Sequence, residues 1–172
     1  MNTGDNGGGI QLGLKHAVGT WDASITNLAN NASASCTAGE IWLPDGALLT
    51  KAYYFVQTTF ADGNDDSAAL SLGYTDSTAA FVAQIAISAT GTNGVASGQW
   101  DAGIHGTLVG MGANLGADAA HDSALEVIAL NAATMIHLTA AKELLLTTSD
   151  DEAVEVGKLS LWVEYVQTGD YS

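Results

Sequence analysis

The sequence predicts an all-β protein: an antiparallel β-sandwich, in its simplest form a jelly roll of about eight strands, with an extended N-terminal arm and room for one short helix. Three observations lead there. Short apolar runs are punctuated by Gly, Asn, Asp and Ser, the pattern of strands joined by turns. Charged residues are only 13% of the chain, with four lysines and no arginine, too few to build the charged faces of long soluble helices. The last apolar segment alternates: Leu159, Leu161, Val163 and Tyr165 share one face, and Lys158, Ser160, Glu164 and Thr168 the other. Trp162 and Val166 interrupt the polar face, but the period of two is that of a half-buried antiparallel strand. Strands and helices do not alternate regularly, so a parallel sheet is not expected.

Residues 1–38 read as an extended arm or segment, and residues 39–172 as the sandwich. The first nine residues hold three consecutive glycines and no apolar anchor. Residues 10–35 carry scattered apolar positions, among them Ile10, Leu12, Leu14, Val18 and Trp21. They fit either a segment that orders against a partner or an ordinary first strand and loop. Glu40–Leu43 is a short strand, and Pro44-Asp45-Gly46 a turn, because Pro presets φ and Gly accepts φ > 0. Ala47–Phe60 is the longest strand signal, followed by a polar loop over 61–66 and a strand at Ala68–Tyr74. Ala79–Ser88 is ambiguous: its alanines permit a short helix at its start, its Phe, Val and Ile a strand. Further strands are expected at Ile104–Met111, Ser123–Leu130, Thr134–Thr139 and Glu143–Thr148, with an acidic turn at Ser149–Glu152.

A net charge of −15 argues against nucleic acid and anionic lipid as partners, since both require Lys or Arg to neutralise phosphate. No apolar run approaches the roughly 20 residues of a membrane span. The first residues show no basic and no apolar region, so no signal peptide is expected. A single cysteine, Cys36, excludes an intrachain disulfide framework and a cysteine-built zinc site.

Catalytic constellations are missing. No phosphate-binding loop, nucleophile elbow or paired-histidine metal motif is present, and the four histidines are scattered. Cys36 has no histidine nearby to lower its pKa. Asp62, Asn64 and Asp66 place oxygen ligands at alternating positions, as a calcium loop does, but the glycine and distal glutamate of an EF-hand are absent. A solvated hairpin loop is the default reading there. No cofactor and no enzymatic activity are expected. Of the tryptophans, Trp42 and Trp162 are expected in the core or an interface, and Trp100 on a loop.

Several stretches carry a resemblance. Leu43-Pro44-Asp45-Gly46 opens a long strand running through Tyr53-Tyr54-Phe55-Val56 to Phe60, and Leu70-Ser71-Leu72-Gly73-Tyr74 follows. Thr139-Ala140-Ala141-Lys142-Glu143-Leu144-Leu145-Leu146-Thr147 comes later, and Gly157-Lys158-Leu159-Ser160-Leu161-Trp162-Val163-Glu164-Tyr165 closes the set. In order and texture these resemble the capsid decoration, or cement, proteins of tailed bacteriophages. The resemblance covers residues 40–88 and 139–168; it has no counterpart in the first 38 residues or in 89–138. It implies a β-sandwich or jelly-roll domain and a trimer seated on the lattice of the major capsid protein. The place implied is the outer capsid surface of the virion, where such a protein resists internal pressure. An acidic chain suits the outside of a DNA-filled head. On this reading Ile10, Leu12, Leu14, Val18 and Trp21 anchor the arm to a neighbour or to the shell, and removal of residues 1–28 weakens capsid binding while leaving the core folded. Rival readings are a head-fibre or tail receptor-binding module, with Trp100 as a recognition residue, and a glycan-binding β-sandwich.

Overall fold

The computed structural model describes residues 13–26, 28–29, 31–62, 68–87, 99–106, 135–149 and 153–167. These residues form strands and turns and contain no helix. The strands are β1 (Leu14–Asp22), β2 (Ser33–Ala34), β3 (Trp42–Leu43), β4 (Ala47–Asp62) and β5 (Ala69–Tyr74). They continue with β6 (Ser77–Ala86), β7 (Gly103–Gly106), β8 (Ile136–His137), β9 (Lys142–Ser149) and β10 (Val154–Gln167).

One sheet has the order β1-β10-β4-β7, with β8 added beside β4; the other has the order β2-β9-β5-β6, with β3 added beside β9. Every pairing in both is antiparallel. The chain crosses repeatedly between sheets: β1 to β2 and β3, back to β4, over to β5 and β6, back to β7 and β8, then β9, then β10. With β2 and β3 sharing one position beside β9, and β7 and β8 one position beside β4, this is the eight-position jelly-roll path expected from the sequence.

The two inner faces make the core. Trp21, Tyr54, Val56, Leu159, Leu161 and Val163 come from the first sheet, and Leu70, Leu72, Phe81, Leu144 and Leu146 from the second. Burial follows the two-residue period on β9, where Leu144, Leu146 and Thr148 point in and Leu145, Thr147 and Ser149 lie nearer solvent. Each large apolar side chain buried this way contributes about 1.5–3 kcal/mol before entropy is counted. The Pro44-Asp45-Gly46 turn forms as read, with Gly46 at φ +71°.

Three expectations change. The boundary at residue 38 falls inside the sandwich. β1 pairs with β10 at nine positions, from Leu14↔Val166 to Asp22↔Lys158. Trp21, Leu28 and Cys36 belong to the core. Of the expected arm, residues 1–12 lie outside the described residues. The short helix expected in Ala79–Ser88 is strand β6 through Ala86. Its Val82 and Ile85 pair with Leu72 and Leu70 of β5, and Phe81 is fully buried. Sheet pairing and core packing outweigh the helix preference of its alanines, worth only tenths of a kcal/mol per residue (~0.7 at most). Of the other expected strands, Ile104–Met111 begins as β7 and passes outside the described residues after Gly106, while Ser123–Leu130 lies wholly outside them. Of Thr134–Thr139, Ile136–His137 forms β8, which pairs Leu48 and Leu49, and Thr134 lies outside the described residues.

Candidate functional site

The residues proposed from sequence as anchors separate by strand parity. On β1, Ala17, Gly19 and Trp21 point inward, whereas His16, Val18 and Thr20 point out. Leu14 is 59% exposed and Val18 37% exposed, both on the outer face of the first sheet. Trp21 is not an interface anchor: its side chain is fully buried, and its indole Nε1 donates to the Ala34 carbonyl at 3.0 Å. A buried indole needs that acceptor, and β2 supplies it. Ile10 and Leu12 lie outside the described residues.

The outer face of the first sheet can be mapped row by row. Val18, Trp162 and Tyr53 lie abreast on β1, β10 and β4. In the next row are Thr20, Ser160, Phe55 and, on β7, Ile104. Trp162 is 39% exposed, Phe55 42% and Ile104 63%. The Tyr53 and Trp162 rings stack with centroids 6.1 Å apart and planes 7° from parallel. Together these side chains form an apolar band across the strands. The polar groups beside it bond to one another. Thr20 Oγ1 and Ser160 Oγ are 3.0 Å apart, and Gln57 Nε2 donates to Ser160 Oγ at 3.1 Å. The basic side chains on this face have partners as well. Lys158 Nζ is 3.1 Å from Asp22 Oδ2, His16 Nε2 is 3.7 Å from Glu164 Oε2, and Lys51 Nζ sits 5.8 Å from the Tyr53 ring centroid. The Ser24 hydroxyl, and then Lys158, hold the Asp22 carboxyl below its ordinary pKa.

The sequence reading missed Tyr53, Phe55 and Ile104. A signal for the first two was present: Ala52-Tyr53-Tyr54-Phe55-Val56 is apolar at both parities, so one parity must lead away from the core. Trp162 carried the same signal as an apolar interruption of a polar face. Trp42 is 50% exposed at the edge of the second sheet, and its Nε1 donates to Glu40 Oε2 at 3.0 Å. Trp100 lies on a loop as expected, but it is not available for recognition. It is buried between Tyr54 and Phe60, and its Nε1 donates to the Ile85 carbonyl at 3.0 Å. Phe60 closes the contact through its backbone N–H, which donates to the Trp100 carbonyl at 3.0 Å.

Asp62 Oδ2 accepts the Ala68 backbone N–H at 3.0 Å, a contact that ties the end of β4 to the residue before β5. Asn64 and Asp66 lie outside the described residues. Among the described residues no three His, Cys, Asp or Glu side chains gather as metal ligands would. Of the described histidines, His16 meets Glu164, and His105 stacks on Tyr54 with Nε2 2.9 Å from the Asp101 carbonyl oxygen.

Cys36 is buried, and burial raises its thiol pKa from 9.0 to about 11. Burial pushes the Tyr54 phenol up too. Both groups are neutral when protonated, so above pH 9 the native state binds more protons than the unfolded chain. Their stabilisation is complete below the unfolded values and is lost as pH rises through the folded ones. Thermal melts should therefore give a Tm that declines as pH is raised from 9 towards 11, with a shallower decline for Cys36→Ala. A Tm that holds or rises over that interval contradicts the assignment. A thiol reagent at pH 8 should label Cys36 only after unfolding; stoichiometric labelling of the native chain would show the site to be open.

No family model matches the sequence, and no curated protein matches it. Two solved structures share the fold over almost the whole chain. One is a chain of the acid-stable capsid structure of Helicobacter pylori bacteriophage KHP30, with a TM-score of 0.51 at 13% identity, covering 91% of this chain and 89% of that one. The other is a chain of the cyanophage Pam1 capsid asymmetric unit, with a TM-score of 0.54 at 11% identity, covering 92% of this chain and 87% of that one. The likeness is one of fold.

Proposed function

We propose that this chain is a structural virion protein, which binds the outer surface of a bacteriophage capsid and stabilises it as a decoration or cement protein. One observation carries the reading: the fold is shared, over 91% and 92% of the chain, with chains of two phage capsid structures. The sequence resemblance in 40–88 and 139–168 supports it independently. The partner is the major capsid protein, and the chain works as a homo-oligomer, a trimer by that resemblance. Its work is binding rather than chemistry. A trimer that touches three lattice points gains effective concentration, so its avidity exceeds single-site affinity by roughly 10²–10⁴. A net charge of −15 with no arginine suits a surface turned away from packaged DNA. The rival fibre or tail module drew its support from Trp100 as an exposed aromatic, and that side chain is buried.

The test is the copy number of this chain against the major capsid protein, read by quantitative mass spectrometry of purified particles. A ratio near one copy per capsid subunit is expected. A handful of copies per particle would make it a vertex, fibre or tail component, and absence from particles would end the virion reading.

A further inference from the structure

We infer that the outer face of the β1-β10-β4-β7 sheet is the self-association surface of this protein, where the apolar band of Val18, Trp162, Tyr53, Phe55 and Ile104 meets a second copy of the chain. This deepens the self-association element of the proposed function and names the surface that performs it.

Charge selects the occupant. The chain carries 19 acidic residues against four lysines, so most surfaces of one copy repel another. On this face the described charges balance. Its outward positions from Leu14 to Asp22 on β1, with their partners on β10 and β4, hold Lys51 and Lys158 against Asp22 and Glu164, Lys15 being of the opposite parity. Two lysines against two carboxylates leave the face with no net charge while His16 is neutral. Two of the chain's four lysines are thus placed on a sheet face that also exposes an aromatic band. A partner of strong positive charge would find no complement here, but a second neutral face would.

The band is also prepared for burial. Its neighbours Thr20, Ser160 and Gln57 satisfy one another within the face, so covering them leaves few polar groups stranded. Tyr53 and Trp162 hold each other in a stacked pair, which lowers the entropy lost on docking. Aromatic anchors inside a ring of satisfied polar groups are the usual centre of a protein interface.

The experiment is sedimentation velocity of the full chain over a concentration series, at low and high salt, for wild type, Trp162→Glu, Ile104→Glu and Trp42→Ser. Wild type should self-associate, and more tightly at high salt, because screening removes the repulsion of the remaining negative charge. Trp162→Glu and Ile104→Glu should each weaken association about 30-fold or more, the loss expected of an interface hot spot. Trp42→Ser, on the other sheet, should leave it unchanged. Circular dichroism checks that each variant folds. Should Trp162→Glu unfold, Ile104→Glu on the edge strand decides. A wild type that stays monomeric overturns the proposal, as does association that both face variants leave intact or that salt weakens. Binding of a monomeric chain to purified shells, lost in Ile104→Glu, would assign the face to the shell protein and also overturn it. Absence of the chain from virions would refute the decoration reading while leaving this result standing.

Discussion

Trp21→Ala should cost the fold about 3–5 kcal/mol, the range for removing a fully buried large aromatic. The indole is completely enclosed and is hydrogen-bonded to Ala34, so the substitution loses burial, leaves a cavity and strands a carbonyl. Domains of this size hold about 5–15 kcal/mol in total. The variant is therefore expected to be partly unfolded at physiological temperature, and urea unfolding measures the loss. A loss below about 1 kcal/mol, the scale of a surface change, would mean that Trp21 is an arm residue after all. The same reasoning reverses the truncation expected from sequence. Deleting residues 1–28 removes β1, leaves the β1-facing edge of β10 unpaired along nine positions and uncovers the core, so the remainder should not fold. A chain beginning at Gly13 keeps every contact described for β1 and should fold. Circular dichroism of the two truncations distinguishes a strand from an arm.

Gly157→Ala is expected to rank with it. Gly157 sits at φ +136°, a backbone conformation open almost only to glycine, and a methyl group there meets Phe60. The added Cβ would lie 2.7 Å from Phe60 Cε1 and closer still to Cγ and Cδ1. Phe60 cannot retreat freely, because its ring packs edge-on against buried Trp100. Strain of about 1–3 kcal/mol and overpacking of about 1–3 kcal/mol add at this site. Phe60→Ala in the same chain should relieve the overpacking but not the strain, so the double variant stays less stable than Phe60→Ala alone. Equal stability of those two would show that only space, not backbone conformation, makes glycine necessary. The irregular register of β10 against β4 between Val156 and Lys158 lies at this residue, so the glycine sits at a bulge-like break in the ladder.

Much of the fold was legible because its causes are local. The alternation of Leu159, Leu161, Val163 and Tyr165 fixes which side of β10 is inward whatever pairs with it. Pro44-Asp45-Gly46 turns the chain through its own φ preferences. Scarcity of charge excluded long soluble helices before any strand was placed. The candidate site was less legible, because exposure belongs to assembled sheets and not to segments. Trp162 falls on the outward side of β10 by that strand's own alternation, whereas the scattered apolar positions of Leu14–Asp22 leave the side of Trp21 open, and only the pairing of β1 with β10 sends it into the core. Ala79–Ala86 became a strand because β5 offered a partner edge, a fact no window of its own residues contains.

By itself, then, the sequence determined the all-β class, the inward parity of its last strand and an acidic surface poor in arginine and lysine. Those follow from period, turn chemistry and composition, which act within a few residues or over the chain as a sum. The tertiary structure alone decided that Leu14–Asp22 is a strand of the sandwich, that Trp100 is buried, and that Val18, Trp162, Tyr53, Phe55 and Ile104 share one outer sheet face. These residues come from four strands separated by long stretches of chain, and only hydrogen-bond register across the sheet brings them side by side.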